Sequence, residues 1–168
     1  IDDRSDHPRT ANGHLVLTYS QFKQESAGEK QAAIAVADGM TRAKLAQRLE
    51  ADGVAVWSVA AANVVIMDAV EIGPGAILSP FVTLTSNISI GRCFHANLYS
   101  YVEHDCEIGD FVTFAPGVMC NGNVRICDHA YVGAGAMIRQ GRPGKPLVIG
   151  RGAVVGMGAV VTKDVPPG

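Results

Sequence analysis

Four consecutive residues, Glu103-His104-Asp105-Cys106, bring together the side chains that proton-transfer chemistry needs. Imidazole titrates near neutrality, so His104 could take a proton from an attacking amine or hydroxyl. A carboxylate beside it can hold one ring N–H, fix the tautomer and raise the basicity of the other nitrogen, and Asp105 is placed for that role. Glu103 would add charge or a contact to the acceptor. An ordinary surface histidine with acidic neighbours has the same composition. What surrounds these residues in space therefore decides between the two, and that follows from the repeat that carries them.

From Ile66 an aliphatic or small residue returns every sixth position: Ile66, Ile72, Leu78, Leu84, Ile90, Ala96, Val102, Ile108, Phe114, Cys120, Ile126, Val132 and Ile138, then Ile149, Val155 and Val161. A second series runs two residues earlier, from Val64 and Val70 through Cys106, Val112 and Val118 to Ala136. Glycine often follows the main position, as in Ile90-Gly91 and Ile108-Gly109. Neither the helical period nor simple alternation gives this pattern. A period of six predicts a parallel β-helix, each hexad forming one flat side with its aliphatic residue toward the axis. Val102 and Cys106 then face inward, which leaves Glu103, His104 and Asp105 on the outer surface or at a corner. The pattern resembles the left-handed β-helix of acyltransferases, which takes three hexads per coil. On that geometry, residues three hexads apart stack. His104 falls between Ser86 and Gly122, Asp105 between Asn87 and Asn123, and Thr113 next to His95.

The register breaks once, at residues 139–147 (Arg-Gln-Gly-Arg-Pro-Gly-Lys-Pro-Leu), where two prolines and two glycines predict an extruded loop. Its Arg139, Arg142 and Lys145 could meet phosphates or merely be solvated. The solenoid is expected over 63–168 and a connection over 54–62. Residues 1–53 have a different texture and are expected to form a small, apparently truncated Rossmann-like α/β domain. Within it, Ala32–Ala37 reads as a strand buried on both faces. Thr41 could cap a helix over about 42–51 with Ala43, Ala46 and Leu49 on one face. His14–Thr18 reads as a weaker strand or a connection. The opening Ile1-Asp2-Asp3 looks like the end of a second strand whose predecessor and glycine-rich turn are missing, and the ending at Val165–Gly168 looks cut short.

The 168 residues carry a net charge of −2 and no Lys/Arg block, which gives no reason to expect nucleic acid or an anionic membrane surface. No apolar run approaches a bilayer-spanning length and no signal peptide opens the chain. Cys93, Cys106, Cys120 and Cys127 show no metal-type spacing and read as free thiols, which suits a reducing cytoplasm. A zinc site would need His95, His104 and His129, but these fall at different phases of the coil and share no ladder.

The whole chain resembles bacterial sugar acyltransferases that join a truncated Rossmann-like domain to a left-handed β-helix, among them nucleotide-sugar N-acetyltransferases and sialic acid O-acetyltransferases. The residues that carry the resemblance are Tyr101 to Phe111 (Tyr-Val-Glu-His-Asp-Cys-Glu-Ile-Gly-Asp-Phe), Ala115-Pro116-Gly117 and Gly122-Asn123-Val124. It implies an acetyl-CoA-dependent transferase with His104 as general base and Asp105 raising its basicity. It implies Asn97 near the sugar, with Gly122, Thr113, Ala134 and Met157 lining the coenzyme. In the small domain it implies Asp2 and Asp3 at the nucleotide base and Ala37 and Asp38 in an acceptor loop. A homotrimer with sites between neighbouring solenoids follows from the same resemblance. The expected activity is N-acetylation of a nucleotide-linked amino sugar, without a metal. O-acetylation of a sialic acid-type sugar and a non-catalytic solenoid scaffold remain as alternatives.

Overall fold

A computed structural model describes residues 1–2, 9–25 and 28–168, and two compact units divide the chain, residues 1–30 and 31–168. In the first unit, strands Arg9–Ala11 and His14–Val16 pair antiparallel. Asn12 and Gly13 join them, both with positive φ (51° and 79°), the geometry of a tight hairpin that an Asn-Gly pair favours. The stretch from His14, expected as a weaker strand or a connection, is thus a strand over His14–Val16, the second arm of a hairpin. It leads into helix α1 (Tyr19–Gln24), where Thr18 Oγ1 accepts from the Gln21 N–H and the Gln21 side chain accepts from the Thr18 N–H.

The second unit opens with a parallel β-α-β element: strand Gln31–Ala32, helix α2 (Gly39–Ala51) and strand Ala55–Val56. The expected strand over Ala32–Ala37 ends at Ala32. Beyond it only Ile34 is buried, because Ala33, Ala35 and Ala37 face solvent. The helix begins three residues before the expected 42. Its cap is Asp38, whose Oδ1 accepts from the Thr41 N–H at 2.7 Å, so Thr41 lies inside the first turn. The buried face carries Arg42, Ala46 and Leu49 in place of Ala43, Ala46 and Leu49.

The remainder is a parallel β-solenoid whose strands form three sheets of six, six and five members. Its first strand is Val59–Ala60, paired with Ile77–Leu78, so the solenoid starts ahead of Asn63. Alanine at position 60 hid that hexad, since a methyl group barely registers in an aliphatic series. Partners in adjacent coils are 18 apart, as in Ala96↔Phe114 and Val102↔Cys120. Both inward series meet along the axis, and Val82, Leu84, Phe94, Val112, Phe114, Val118, Cys120, Val132, Ala136, Ile138 and Ile149 have no solvent exposure. Each buried aliphatic side chain of this kind contributes roughly 1.5–3 kcal/mol.

The glycine after the aliphatic residue has a steric cause. A Cβ on Gly91 would lie 2.8 Å from backbone atoms of Gly109 and Asp110, and one on Gly133 would lie 2.6 Å from the Met157 nitrogen. The next coil passes too close for any side chain there. Across the register break, Ile126 pairs with Ile149 and Val124 with Leu147, five residues beyond the usual spacing. Those five residues leave the coil as the expected loop, pinned at its neck by paired backbone bonds between Arg142 and Lys145.

Candidate active site

Strand Tyr101–Val102 delivers the chain to a corner of the solenoid. Val102 and Cys106 turn inward with 1% exposure each, while His104 and Asp105 stay half-exposed on the wall, as the hexad register requires. Asp105 adopts a left-handed conformation (φ 58°), and the residues above and below it in the stack, Asn87 (φ 54°) and Asn123 (φ 56°), do the same. Asn and Asp tolerate that region better than other side chains, which explains the polar column at this corner.

The turn brings the Asp105 carboxylate against the imidazole beside it, with His104 Nδ1 2.8 Å from Asp105 Oδ2. The Asp105 carboxylate can only accept, so Nδ1 carries the proton and Nε2 keeps the lone pair. The Asn87 amide donates to Asp105 Oδ1 at 3.2 Å and holds the carboxylate from its other side. The His104 pKa is raised, first by this hydrogen bond and further by the charges of Asp105 and Glu103, while the Asp105 carboxyl is lowered by the same bond. The pair is an oriented base of raised strength.

Gly122 lies directly against the imidazole, since a Cβ there would sit 2.6 Å from Cε1 and 2.7 Å from Nε2 of His104. The Asn123 N–H donates to the His104 carbonyl at 2.9 Å and the Asp105 N–H to the Ser86 carbonyl at 3.1 Å. Both stacking columns expected from the repeat are therefore present. One coil further on, the Gly141 N–H donates to the Gly122 carbonyl, so the loop bearing Arg139, Arg142 and Lys145 rises above the His104 column.

The other expected site residues lie in several places. Glu103 is half-buried beside His104, its N–H donating to the Cys120 carbonyl. Asn97 spends its side-chain amide on the Phe114 carbonyl at 2.8 Å. The carbonyl of Ala134 accepts from Gly158, and Met157 is 83% exposed on the last coils. Ala37 and Asp38 form the exposed segment before α2 and help to line a cleft of about 650 Å³. Asp2 donates its N–H to the Leu17 carbonyl within the first unit, and Asp3 lies outside the described residues. Thr113 is almost fully buried in strand Thr113–Phe114, paired with His95 as the register predicts. Its hydroxyl accepts from Arg42 at 3.0 Å and donates to the Ala37 carbonyl at 2.8 Å. Its side chain thus faces the segment before α2, and its one O–H is already spent there.

Arg42 was missed from sequence, although a charge at the i, i+4, i+7 spacing of Ala46 and Leu49 marked it. His95 is buried near Arg42 and desolvation holds its pKa down to about 4, so it stays neutral. The ring of His129 stacks on Phe111 at 5.3 Å. Among the described residues no three His, Cys, Asp or Glu side chains gather into a metal-holding group, and all four cysteines are free.

A six-residue solenoid repeat with a carboxylate-held histidine against a corner glycine is the arrangement that the resemblance to acyltransferases of the hexapeptide-repeat class implied. No family model matches the chain. It is 50% identical over 160 residues to a GDP-perosamine N-acetyltransferase of Escherichia coli O157:H7, covering 95% of this chain and 72% of that protein. The solved structure of WeeI from Acinetobacter baumannii AYE superposes with a TM-score of 0.94 at 59% identity, over 95% of this chain and 76% of that one. PerB from Caulobacter crescentus, solved in complex with CoA and GDP-perosamine, gives 0.78 at 25% identity, over 83% and 65%. The chain belongs to the nucleotide-sugar N-acetyltransferases of this class. Among the described residues no helix is long and apolar enough to cross a membrane.

Proposed function

We propose that this protein transfers the acetyl group of acetyl-CoA to the amino group of a nucleotide-linked amino sugar, with GDP-perosamine the first acceptor to try. The observation that carries the reading is the His104–Asp105 pair, whose Nε2 lone pair sits on an exposed wall against Gly122. The neutral amine attacks the thioester carbonyl carbon. The new C–N bond forms as the amine proton passes to His104 Nε2, and the C–S bond then breaks to release the CoA thiolate, which recovers that proton. The Gly122 N–H meets the developing oxyanion, a contribution electrostatic in kind. Asp105 holds the imidazole in the required tautomer, and Glu103 and Asn97 flank the sugar.

The coenzyme lies toward the later coils, past Gly122 to Ala134 and Met157, with its phosphates near Arg139, Arg142 and Lys145. That placement is supported by the basic loop rising from the His104 column. The nucleotide sugar engages the Ala37–Asp38 segment. The β-α-β element over residues 31–56 serves as a partial Rossmann-like nucleotide-sugar domain, and the solenoid that starts at Val59 is left-handed. The assembly is a homotrimer with sites between subunits, working in the cytoplasm. Exposed apolar side chains along the solenoid, among them Val59, Phe81, Tyr99 and Val154, favour such assembly.

Release of CoA thiol from acetyl-CoA, measured with GDP-perosamine and with free sialic acid, tests the reading. Turnover on the nucleotide amino sugar supports it. Turnover on sialic acid alone moves the protein to O-acetylation, and silence on both leaves a binding scaffold.

A further inference from the structure

Arg42 is fully buried, and its side chain ends among oxygens that carry no formal charge. Nε donates to the Cys93 carbonyl at 2.9 Å, and Nη1 to the Val36 and Ala37 carbonyls at 2.7 and 3.0 Å. Nη2 donates to the Phe111 and Val112 carbonyls at 2.7 and 3.2 Å and to Thr113 Oγ1 at 3.0 Å. The Thr113 hydroxyl in turn donates to the Ala37 carbonyl, which therefore accepts from both residues. Cys93, Phe111, Val112 and Thr113 are solenoid residues, whereas Val36 and Ala37 belong to the segment entering α2. One cation thus clamps a short surface segment to consecutive coils.

Burying a guanidinium is costly, and a well-packed apolar side chain is often as stabilising at such a site. Ala46 and Leu49 fill the rest of the same helix face in that ordinary way. The geometry of Arg42 goes beyond packing, because it fixes the backbone oxygens on both sides of the junction in one arrangement. The segment it fixes borders the cleft that Asp38, Gly39 and Met40 also line.

We propose that Arg42 and Thr113 act as a positioning anchor, holding the Ala37–Asp38 segment against the solenoid in the conformation that receives the nucleotide-sugar acceptor. The proposal rests on the reading above that this segment meets that acceptor. It gives Thr113 a task on the acceptor side, although the family resemblance implies a coenzyme contact there.

Steady-state kinetics of Arg42→Lys, Thr113→Val and Ala37→Trp test it, with acetyl-CoA and the nucleotide amino sugar that the wild type consumes fastest. Thr113→Val keeps the side-chain shape and removes the shared hydroxyl. It should raise the acceptor KM about tenfold, the effect of one lost buried hydrogen bond, with kcat, the acetyl-CoA KM and the acid limb of the pH profile unchanged. Arg42→Lys keeps the charge but cannot span the same acceptors, so it should shift the acceptor KM further in the same direction. A purely structural role would lower the melting temperature without separating the two KM values. If Thr113→Val raises the acetyl-CoA KM, or leaves the acceptor KM alone while Ala37→Trp raises it, the anchor is overturned with the segment's role intact. If Ala37→Trp does not alter the acceptor KM, the segment's role fails first and the anchor with it.

Discussion

His104 and Asp105 are adjacent in sequence, yet they face each other at 2.8 Å only because Asp105 takes a left-handed backbone conformation at the corner of the coil. In an extended strand, neighbouring side chains point to opposite faces and could not pair. The corner folds the carboxylate back onto the imidazole, and the Asn87 amide one coil below keeps it there. Asparagine and aspartate bear that backbone strain at little cost, so the residue type that builds the turn also supplies the catalytic partner.

The pH profile follows from this pair. The base must be unprotonated to act, and its pKa is raised, so the acid limb of kcat/KM should lie above the ordinary histidine value of about 6.5. Asp105→Asn removes the largest cause of the rise. Imidazolium loses its partner, the pKa falls, and the acid limb should move to lower pH while the plateau drops with the weaker base. An unmoved acid limb would show that Asp105 does not set the basicity of His104.

Gly122→Ala probes the contact beneath the ring. The added Cβ would press on Cε1 and Nε2, and the half-exposed imidazole is the group free to yield. Displacing the base by about an ångström can cost on the order of 10²-fold in rate, and kcat should fall by about that with the melting temperature nearly constant. A variant with wild-type kcat would place the reacting base elsewhere.

Core truncation should do the reverse. Ile126 is 1% exposed within a continuous cluster of inward side chains, and Ile126→Ala should cost about 2–5 kcal/mol in denaturant titration. The KM values of the protein that remains folded should be unchanged. A loss below about 0.5 kcal/mol would contradict close packing along the axis.

Much of this was legible in the sequence. The six-residue period, taken with the three hexads per coil that the family resemblance implies, placed Gly122 against His104 and Asn87 beside Asp105, because a solenoid converts spacing directly into neighbourhood. The five-residue excess between Ile138 and Ile149 located the loop for the same reason. The illegible parts lie where no period operates. Ala32–Ala37 reads as a buried strand by apolarity alone, but alanine is small enough to be exposed without penalty, and three of its four alanines after position 31 are. Asp38 outcompeted Thr41 as a cap because its carboxylate reaches the N–H three residues on. No repeat marks Arg42, and the carbonyls that converge on it come from distant coils.

The central claim is that His104 is the base, and its direct test is acetyl transfer by His104→Ala to the nucleotide amino sugar, measured as CoA-thiol release at saturating substrates. The side chain is half-exposed, so the fold and the binding of CoA should be retained. The rate should fall by roughly 10²–10⁴-fold, the usual share of general base catalysis. Turnover within a few-fold of wild type, from a variant that melts at the same temperature, would contradict the account.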